Sequence, residues 1–215
     1  MPSIQTLVAF SGVAFLLALS PGQDNLFVLV QAVHRGWRVG LCVVLGLCVG
    51  VVGHTVAVAL GLAAVVATSP KLFAAIRLCG AGYMAYLAWR AWHAPIGVGE
   101  TMRTQSVREQ LAWGTALRWV GRGVVMNLTN PKVLIFFLAF LPQFADPARG
   151  NVAIQVLVFG CVFITVSLPV FVSIACCSGK LGELMQSSGH AQRWLNRSAA
   201  TVFGALALRL AFMQR

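Results

Sequence analysis

The sequence predicts an all-α membrane protein with six transmembrane helices, arranged as two inverted three-helix repeats whose first helices are each broken. Three observations predict this fold. Of the 215 residues, 59% are hydrophobic and only 10% are charged, whereas a soluble domain carries about 25% charged residues. The apolar runs alternate with short basic segments. Proline-containing polar breaks interrupt two of these runs at corresponding positions. This composition excludes a cytosolic globular enzyme.

Six apolar segments account for the predicted helices. They cover residues 6–33, 41–67, 72–92, 111–141, 152–177 and 199–213. The first three form a repeat of about residues 1–93, and the last three form a repeat of about residues 111–215, after a polar loop at about 94–110. Because a helix needs about 20 residues to cross a bilayer, six of them leave only short loops. We therefore expect residues 1–215 to form a single transmembrane domain.

The first segment is interrupted at residues 20–25, with the sequence Ser-Pro-Gly-Gln-Asp-Asn. Pro21 and Gly22 free backbone polar groups, and inside a bilayer such groups are tolerated only where they face protein or a water-filled cavity. A tight basic turn at 34–38 follows. The second segment contains a GxxxG pair, Gly46 and Gly50, which permits another helix to approach closely. That helix can belong to the same chain or to a second copy in a homodimer.

The second repeat begins with an amphipathic stretch at 111–125, which predicts either a surface helix or the start of the fourth span. A second polar break, Asn-Leu-Thr-Asn-Pro-Lys, covers residues 127–132. The fifth span is expected to kink at Pro169. The sixth segment contains Arg209 and is short, so the sequence leaves open whether it fully crosses the membrane. Interrupted segments in corresponding positions of two halves predict the binding site of a transporter.

The distribution of basic residues predicts the orientation of the chain. Loops one, three and five, at 34–38, 93–122 and 179–197, and their flanks contain ten Lys and Arg residues, whereas the opposite side contains five. By the positive-inside rule the first side is cytoplasmic. The net charge of +11 therefore reflects loops at a membrane surface rather than binding to nucleic acid.

The six cysteines predict neither a disulfide framework nor a metal site. They show no CxxC spacing and all lie in apolar runs, where cysteine commonly serves as a small packing residue. They are Cys42, Cys48, Cys79, Cys161, Cys176 and Cys177. No metal or cofactor is predicted.

Asp24 is the carboxylate that falls within a predicted membrane segment. A charged side chain near the centre of a bilayer costs about 2.5–3.5 kcal/mol on insertion scales, and such residues usually mark a pathway. Asp24 can exchange a proton to couple transport, or it can pair with the ammonium group of a substrate. The competing interpretation is that it caps the half-helix after Pro21.

Other polar groups at the two breaks complete the candidate site. The free amides after Pro21 and Gly22 can bind a carboxylate, and Asn25 adds a neutral donor and acceptor. The second break contributes Asn127 and Asn130, expected to share a helix face at i, i+3, together with Pro131 and Lys132. We expect Lys132 either to pair with Asp24, to hold a substrate carboxylate, or to extend to the headgroups as an interfacial lysine.

Two further residues have weaker claims to a role. His54 lies on an apolar helix, where an interhelical hydrogen bond is the more common role and a proton relay the alternative. Gln143 follows Pro142 and is expected to end a helix. Together, the groups at the breaks suit a zwitterionic amino acid, although they would also suit other polar metabolites.

Three motifs resemble the lysine exporter and homoserine/threonine exporter (LysE/RhtB) family. They are residues 20–25, residues 77–89, and residues 130–144, of which the last (NPKVLIFFLAFLPQF) is the most specific. The resemblance implies an inner-membrane efflux carrier for amino acids and related metabolites, driven by the proton gradient. Gln23 stands where the family usually has a second proline, so a particular substrate does not carry over.

Three other classes of membrane protein are alternatives to a proton-coupled amino-acid exporter. A thiol-relay membrane protein would place cysteines beside the helix-breaking prolines, and Pro21 and Pro131 have none adjacent. An intramembrane hydrolase would need a GxSxG or HExxH motif or an Asp pair, and the sequence contains none. A structural or interaction protein without transport would not need polar residues at two matched breaks. An enzyme is therefore not expected.

Overall fold

The structure, a computed structural model, describes residues 1–68, 70–93, 113–178 and 189–212. Within these ranges the chain is helical and contains no strand. The α-helices are α1 (Ile4–Leu19), α2 (Gln23–Arg35), α3 (Trp37–Thr68), α4 (Pro70–Trp92), α5 (Trp113–Leu128), α6 (Pro131–Ile135), α7 (Val152–Cys176) and α8 (Gly189–Phe212). The described part of the chain is therefore all-α, as the composition predicts.

Helices α1 and α2 are two halves of one apolar segment, bent by 52° at the first break. Proline disfavours helical backbone in the residue before it, and Ser20 is accordingly extended (φ −60°, ψ 122°), which ends α1. Gly22 is also extended and precedes the first residue of α2. The predicted break is confirmed, although Asp24 and Asn25 belong to the first turn of α2 rather than to unwound chain.

Helices α5 and α6 form a second bent pair, with an angle of 53°. Asn130 is extended before Pro131, the first residue of α6, and its side-chain oxygen accepts a hydrogen bond from the Lys132 amide at 3.0 Å. A π-helical turn, Phe136–Phe140, and a 3₁₀ turn, Leu141–Phe144, continue the segment after α6. Both bends therefore arise from the same local cause, an extended residue before proline.

Helices α3 and α5 approach each other closely, because glycines lie at their contact. A Cβ atom on Gly46 would collide with the carbonyl oxygen of Val120, and one on Gly50 would lie 2.7 Å from the Asn127 side chain. Gly123 meets the Val43 backbone in the same way. The close approach predicted from the GxxxG pair is thus confirmed, and the partner is α5 of the same chain. A homodimer would need a different face.

A cluster of buried phenylalanines packs the second broken segment against α1 and α7. The Phe10 ring lies 4.9 Å from that of Phe159, and the Phe137 ring lies 5.3 Å from that of Phe163. Phe136 is fully buried between them. Helix α7 also packs against α3, and α4 packs against α8. This packing fixes the position of the short α6 helix and of the polar residues at its start.

By length and composition, two helices in the described ranges can each cross a bilayer: α3, over Trp37–Gly61, and α7. Each bent pair can supply one further span, which gives up to four. Helices α4 and α8 contain 23 and 24 residues, but they do not meet the same criterion on their described residues. The arrangement of six spans in two inverted repeats therefore stays a prediction.

The helix predicted from residue 111 is confirmed, because α5 covers Trp113–Leu128, so the loop predicted at 93–122 was drawn too long. The loop predicted at 179–197 was also drawn too long, because it overlaps α8, Gly189–Phe212. Residues 94–112 and 179–188 lie outside the described residues. Arginine is a good helix former and can extend towards headgroups from a helix end. Basic residues therefore marked the exposed ends of helices rather than loops.

The short connections follow the predicted pattern. Helices α2 and α3 meet at Gly36, whose φ of 97° places it in the left-handed region that favours glycine. Between the second broken segment and α7 the chain forms a 3₁₀ turn, Pro147–Arg149. Pro169 lies inside α7, as expected for the fifth span.

Candidate functional site

The two breaks face each other in the interior of the protein. Asn127, at the end of α5, donates a hydrogen bond through Nδ2 to Oδ2 of Asp24, in the first turn of α2, at 3.1 Å. The Lys132 ammonium, in α6, donates to the carbonyl oxygen of Ser20 at 2.9 Å. These contacts join residues more than one hundred positions apart in the chain. The structure thus brings together the polar groups of the first and second breaks.

Asp24 lies buried in the first turn of α2, a position compatible with both interpretations of its role. The residue is 4% exposed, and its Oδ1 atom has no hydrogen-bond partner. The N-cap position of α2 is Gly22, and Asp24 in the first turn is placed where a carboxylate interacts favourably with the helix dipole. The side chains of Asn130 and Lys132 lie nearby. One oxygen of this buried carboxylate thus bonds to Asn127, and the other lies among the side chains of the second break.

Lys132 is buried, with 8% of its surface exposed, so the expectation of an interfacial lysine extending to the headgroups is wrong. Its ammonium group lies 5.6 Å from the centre of the Phe203 ring, a cation–π contact. A Cβ atom on Gly22 would lie 3.0 Å from Nζ, so glycine at this position leaves room for the ammonium. No direct ion pair joins Lys132 to Asp24, because the ammonium bonds to the Ser20 carbonyl instead.

Three further side chains at the breaks carry unpaired polar oxygens. Asn25 donates through Nδ2 to the Ala18 carbonyl at 2.7 Å, which leaves its Oδ1 without a partner. Oδ1 of Asn127 and Oγ of Ser20 are likewise buried and unpaired. Buried polar atoms in proteins nearly always have partners, so a cluster of unpaired ones is unusual. Their clustering here indicates a site that binds polar ligands.

Asn130 occupies a different position from the one expected. A shared helix face with Asn127 assumed a continuous helix, but α5 ends at Leu128 and the chain bends before α6 begins. Asn130 instead caps α6. Pro131, the first residue of α6, fixes the backbone there.

A small cavity lies at the meeting point of the breaks. It has a volume of about 20 Å³, which is room for roughly one water molecule. The polar residues that line it are Asp24, Asn25, Cys48, Asn127, Lys132 and Ser167. An amino acid needs a larger space, so these helices must separate before the site can hold one.

The two weaker candidates lie outside this cavity. Nε2 of the His54 ring donates a hydrogen bond to the carbonyl oxygen of Asn127 at 3.2 Å, and the ring stacks on Phe137. His54 therefore forms an interhelical hydrogen bond, the role that its position on an apolar helix favoured. Gln143 donates to the Ala139 carbonyl at 2.7 Å within its own segment. Neither lines the cavity.

Sequence reasoning missed three residues of the site. Ser20 supplies both the carbonyl acceptor for Lys132 and an unpaired hydroxyl, and its place directly before Pro21 was the available signal. Cys48 and Ser167 line the cavity from α3 and α7. For Ser167 the signal was a hydroxyl two residues before Pro169 in an otherwise apolar run, whereas Cys48 had none. Within the described ranges, no group of three or more His, Cys, Asp or Glu side chains is placed to hold a metal ion.

Comparison with known proteins agrees with the motifs over the whole chain. An uncharacterized membrane protein of Vibrio cholerae is 30% identical over 210 residues, 97% of each chain. The homoserine/homoserine lactone efflux protein of Salmonella typhimurium is 28% identical over 190 residues, 87% of each chain. The leucine efflux protein of Salmonella choleraesuis is 29% identical over 142 residues, which cover 66% of this chain and 64% of the relative. No solved structure matches.

The family assignment follows from the extent of the match. The model of the LysE type translocator family covers residues 4–214, which include both breaks and every helix described above. The chain therefore belongs to the LysE family of translocators.

Proposed function

We propose that this protein exports amino acids or closely related metabolites across the bacterial inner membrane by proton antiport. The observation that carries the proposal is the contact between Asp24 at one break and Asn127 at the other, beside a buried ammonium group. An acid, two amides and an ammonium in one apolar interior are costly to maintain. They suit a substrate that carries both an ammonium and a carboxylate.

The chemistry of the site matches the names of the relatives. Homoserine and leucine, named for the Salmonella proteins, both have an amino group and a carboxylate. The unpaired Oδ1 of Asp24 would accept the substrate ammonium. Lys132 and the free amides at the start of α2 would receive the carboxylate. Neutral acceptors on Asn25 and Asn127 would bind a side-chain hydroxyl or the remaining ammonium protons.

Asp24 is also suited to couple export to proton import. When the site faces the outside, the carboxylate takes up a proton as the substrate ammonium leaves it. The neutral acid then returns to the cytoplasmic side, where it releases the proton and binds the next substrate. One proton moves inward for each amino acid moved outward. During each change of access, the charge of the Asp24 carboxylate is neutralised by a proton or paired with the substrate ammonium.

The helix contacts support two inverted repeats of three spans. In such a fold, the contact between the second and fourth spans has a counterpart between the fifth and the first. Helix α3 packs against α5, and α7 packs against α1 and α2. Helix α3 also packs against α7, and α4 packs against α8. Exchanging the two repeats would map each of these two contacts onto itself. Movement of the spans around this centre would open the small cavity to one side at a time.

An export assay with matched carboxylate variants tests the proposal. Cells that overproduce the protein are loaded with L-homoserine or L-leucine, and the external amino acid is measured over time. We expect faster efflux than in control cells, and abolition of that efflux by a protonophore. Asp24→Asn should lower the rate at least about tenfold, whereas Asp146→Asn, which alters an exposed carboxylate in a turn, should leave it unchanged.

Two outcomes would contradict the proposal. A full efflux rate in the Asp24→Asn variant would remove this carboxylate from the mechanism. Unchanged pools of every amino acid in overproducing cells, with the protein shown to be in the membrane, would instead favour a structural or interaction role.

A further inference from the structure

A groove of about 800 Å³ lies between α2 and α5, separate from the central cavity. One end is basic and contains Arg118 and Arg122, with Arg35 opposite on α2. The other end reaches Gln23 and Met126, each the immediate neighbour in sequence of a residue that lines the central cavity. The groove therefore runs from the side predicted to be cytoplasmic to the two breaks.

The basic end is held in a defined geometry. Trp119 is 3% exposed, and the guanidinium groups of Arg35 and Arg122 lie 4.8 Å and 4.4 Å from the centre of its rings. Cation–π contacts of this kind restrict where the guanidinium groups can lie. Arg118 is one helical turn before Arg122 on the exposed face of α5. The groove thus presents guanidinium groups to a ligand from two helices.

Arg118 and Arg122 lie one helical turn apart on α5 in this end of the groove, and like charges at i, i+4 repel each other. Guanidinium groups bind carboxylates through two parallel hydrogen bonds. The basic end is therefore complementary to a carboxylate ligand, which would relieve the repulsion between Arg118 and Arg122.

The inner end of the groove is closed by one layer of side chains. The Gln23 amide donates to the Met126 sulfur at 2.9 Å, across from α2 to α5. The next residue along each helix makes the contact between Asp24 and Asn127 that lines the central cavity. A ligand in the groove would need only the separation of these two contacts to reach the site.

We propose that Arg118 and Arg122 bind the carboxylate of the exported amino acid on the cytoplasmic side, before it enters the central site. This inference rests on the proposed function and adds a second substrate subsite to it. The continuity of the groove with the breaks favours a transported ligand over a lipid phosphate, as do the polar side chains of Gln23 and Gln31 along its length.

Transport into inverted membrane vesicles, which expose the cytoplasmic side, tests this subsite. Uptake of labelled L-leucine and L-homoserine is measured for the wild type, for Arg118→Gln/Arg122→Gln, and for Arg38→Gln. Arg38 is an exposed arginine at the start of α3 that does not line the groove. The double variant should raise the half-saturating concentration roughly tenfold and leave the maximal rate within about twofold, because the central site is intact.

The carboxylate dependence separates this role from a general effect of charge. In the wild type, L-leucinamide, which lacks the carboxylate, should compete more weakly than L-leucine. In the double variant this difference should shrink, and in Arg38→Gln it should persist. Equal behaviour of the double variant and Arg38→Gln, in vesicles where the wild type transports, would overturn the subsite and leave the proposed function intact.

Reconstitution distinguishes a substrate from a lipid headgroup. The purified proteins are placed in phosphatidylcholine vesicles with and without phosphatidylglycerol. The subsite predicts the same defect of the double variant in both. A defect confined to vesicles with phosphatidylglycerol would assign the arginines to an anionic lipid and overturn the proposal. Failure of the wild type to transport either amino acid would instead contradict the proposed function, and with it the subsite.

Discussion

Asp24 and its neighbours are retained at a cost in stability. A buried hydrogen-bonding atom without a partner costs about 1–3 kcal/mol, and Asp24, Asn25, Asn127 and Ser20 each leave one oxygen unpaired. Apolar side chains at these positions would pack more favourably. At the scale of single residues, these unpaired oxygens lower the stability of the resting protein, and the proposed role in binding a ligand accounts for them.

Lys132 provides a test at this scale. Replacement by Met keeps the length of the side chain but removes the positive charge and the donor to the Ser20 carbonyl. We expect Lys132→Met to lower the export rate at least about tenfold, because a substrate carboxylate loses its cationic partner. Export from loaded cells, corrected for the amount of protein in the membrane, measures the effect.

Arg149→Met is the matched control for this substitution. Arg149 is a half-exposed cation in the turn before α7, paired with Asp146, and it lies far from the breaks in sequence. Its replacement should leave the export rate within about twofold. An equal loss in both variants would contradict a specific role for Lys132.

The residues of the site were predictable where chemistry and position coincided. Asp24, Asn127 and Lys132 stood out because charged or amide side chains are costly at a proline break inside an apolar segment and usually mark a functional site there. The direction in which each side chain points was not predictable. Lys132 bonds to a backbone carbonyl rather than to Asp24, and Asn130 caps α6, because both outcomes depend on the angle of the bend.

At the scale of helices, glycine determines how the two breaks meet. Helix α5 lies close to α3 because Gly46 and Gly123 have no side chains and let the two backbones come into contact. Gly50 leaves room for the Asn127 side chain. Contacts of this kind let helices associate in a bilayer, where the hydrophobic effect does not drive them together. The same contact holds Asn127 in place beside Asp24.

Gly46→Ala should therefore destabilise the protein. The added Cβ would collide with the Val120 carbonyl oxygen, and crowding of this kind typically costs about 1–3 kcal/mol. We expect the midpoint of thermal unfolding in detergent to fall by several degrees. Gly121→Ala is the control, because a Cβ there meets nothing within 4 Å and alanine favours a helix more than glycine does. A midpoint unchanged by Gly46→Ala would contradict the close contact.

The positions of the breaks were predictable from local rules, whereas the ends of some helices were not. Proline acts on the residue before it, so Ser20 and Asn130 are extended whatever surrounds them. The start of α5 at Trp113 and of α8 at Gly189 depends on packing and on the membrane surface. The polarity of the sequence indicates neither this packing nor the position of the membrane surface.

At the scale of the whole molecule, the central cavity is too small for its proposed ligand. Room for roughly one water molecule implies that transport requires the broken halves to move apart on one side at a time. Breaks with extended residues are suitable hinges, because the bend concentrates the change in backbone angles at a few residues. The larger number of Lys and Arg residues on one side of the predicted spans predicts that this side is cytoplasmic.

Labelling of introduced cysteines tests the predicted orientation. In a variant without the six native cysteines, Arg149→Cys should react with a membrane-impermeant maleimide in intact spheroplasts. Arg38→Cys should react only after the membrane is opened, because the turn between α2 and α3 is predicted to be cytoplasmic. The opposite labelling pattern would invert the orientation and move the basic groove to the outer side.

The two breaks are proposed to form one site around the carboxylate of Asp24, and a double-substitution cycle in inverted membrane vesicles tests this arrangement. The rate of proton-driven amino-acid uptake is measured for Asp24→Asn, for Asn127→Asp and for the variant with both changes. The double variant restores a carboxylate to the hydrogen-bonded pair, about 3 Å from its original place. We predict that it transports faster than Asp24→Asn alone, so that the two losses are not additive. A wild-type rate for Asp24→Asn, or losses that simply add in the double variant, would show that the breaks do not share one site.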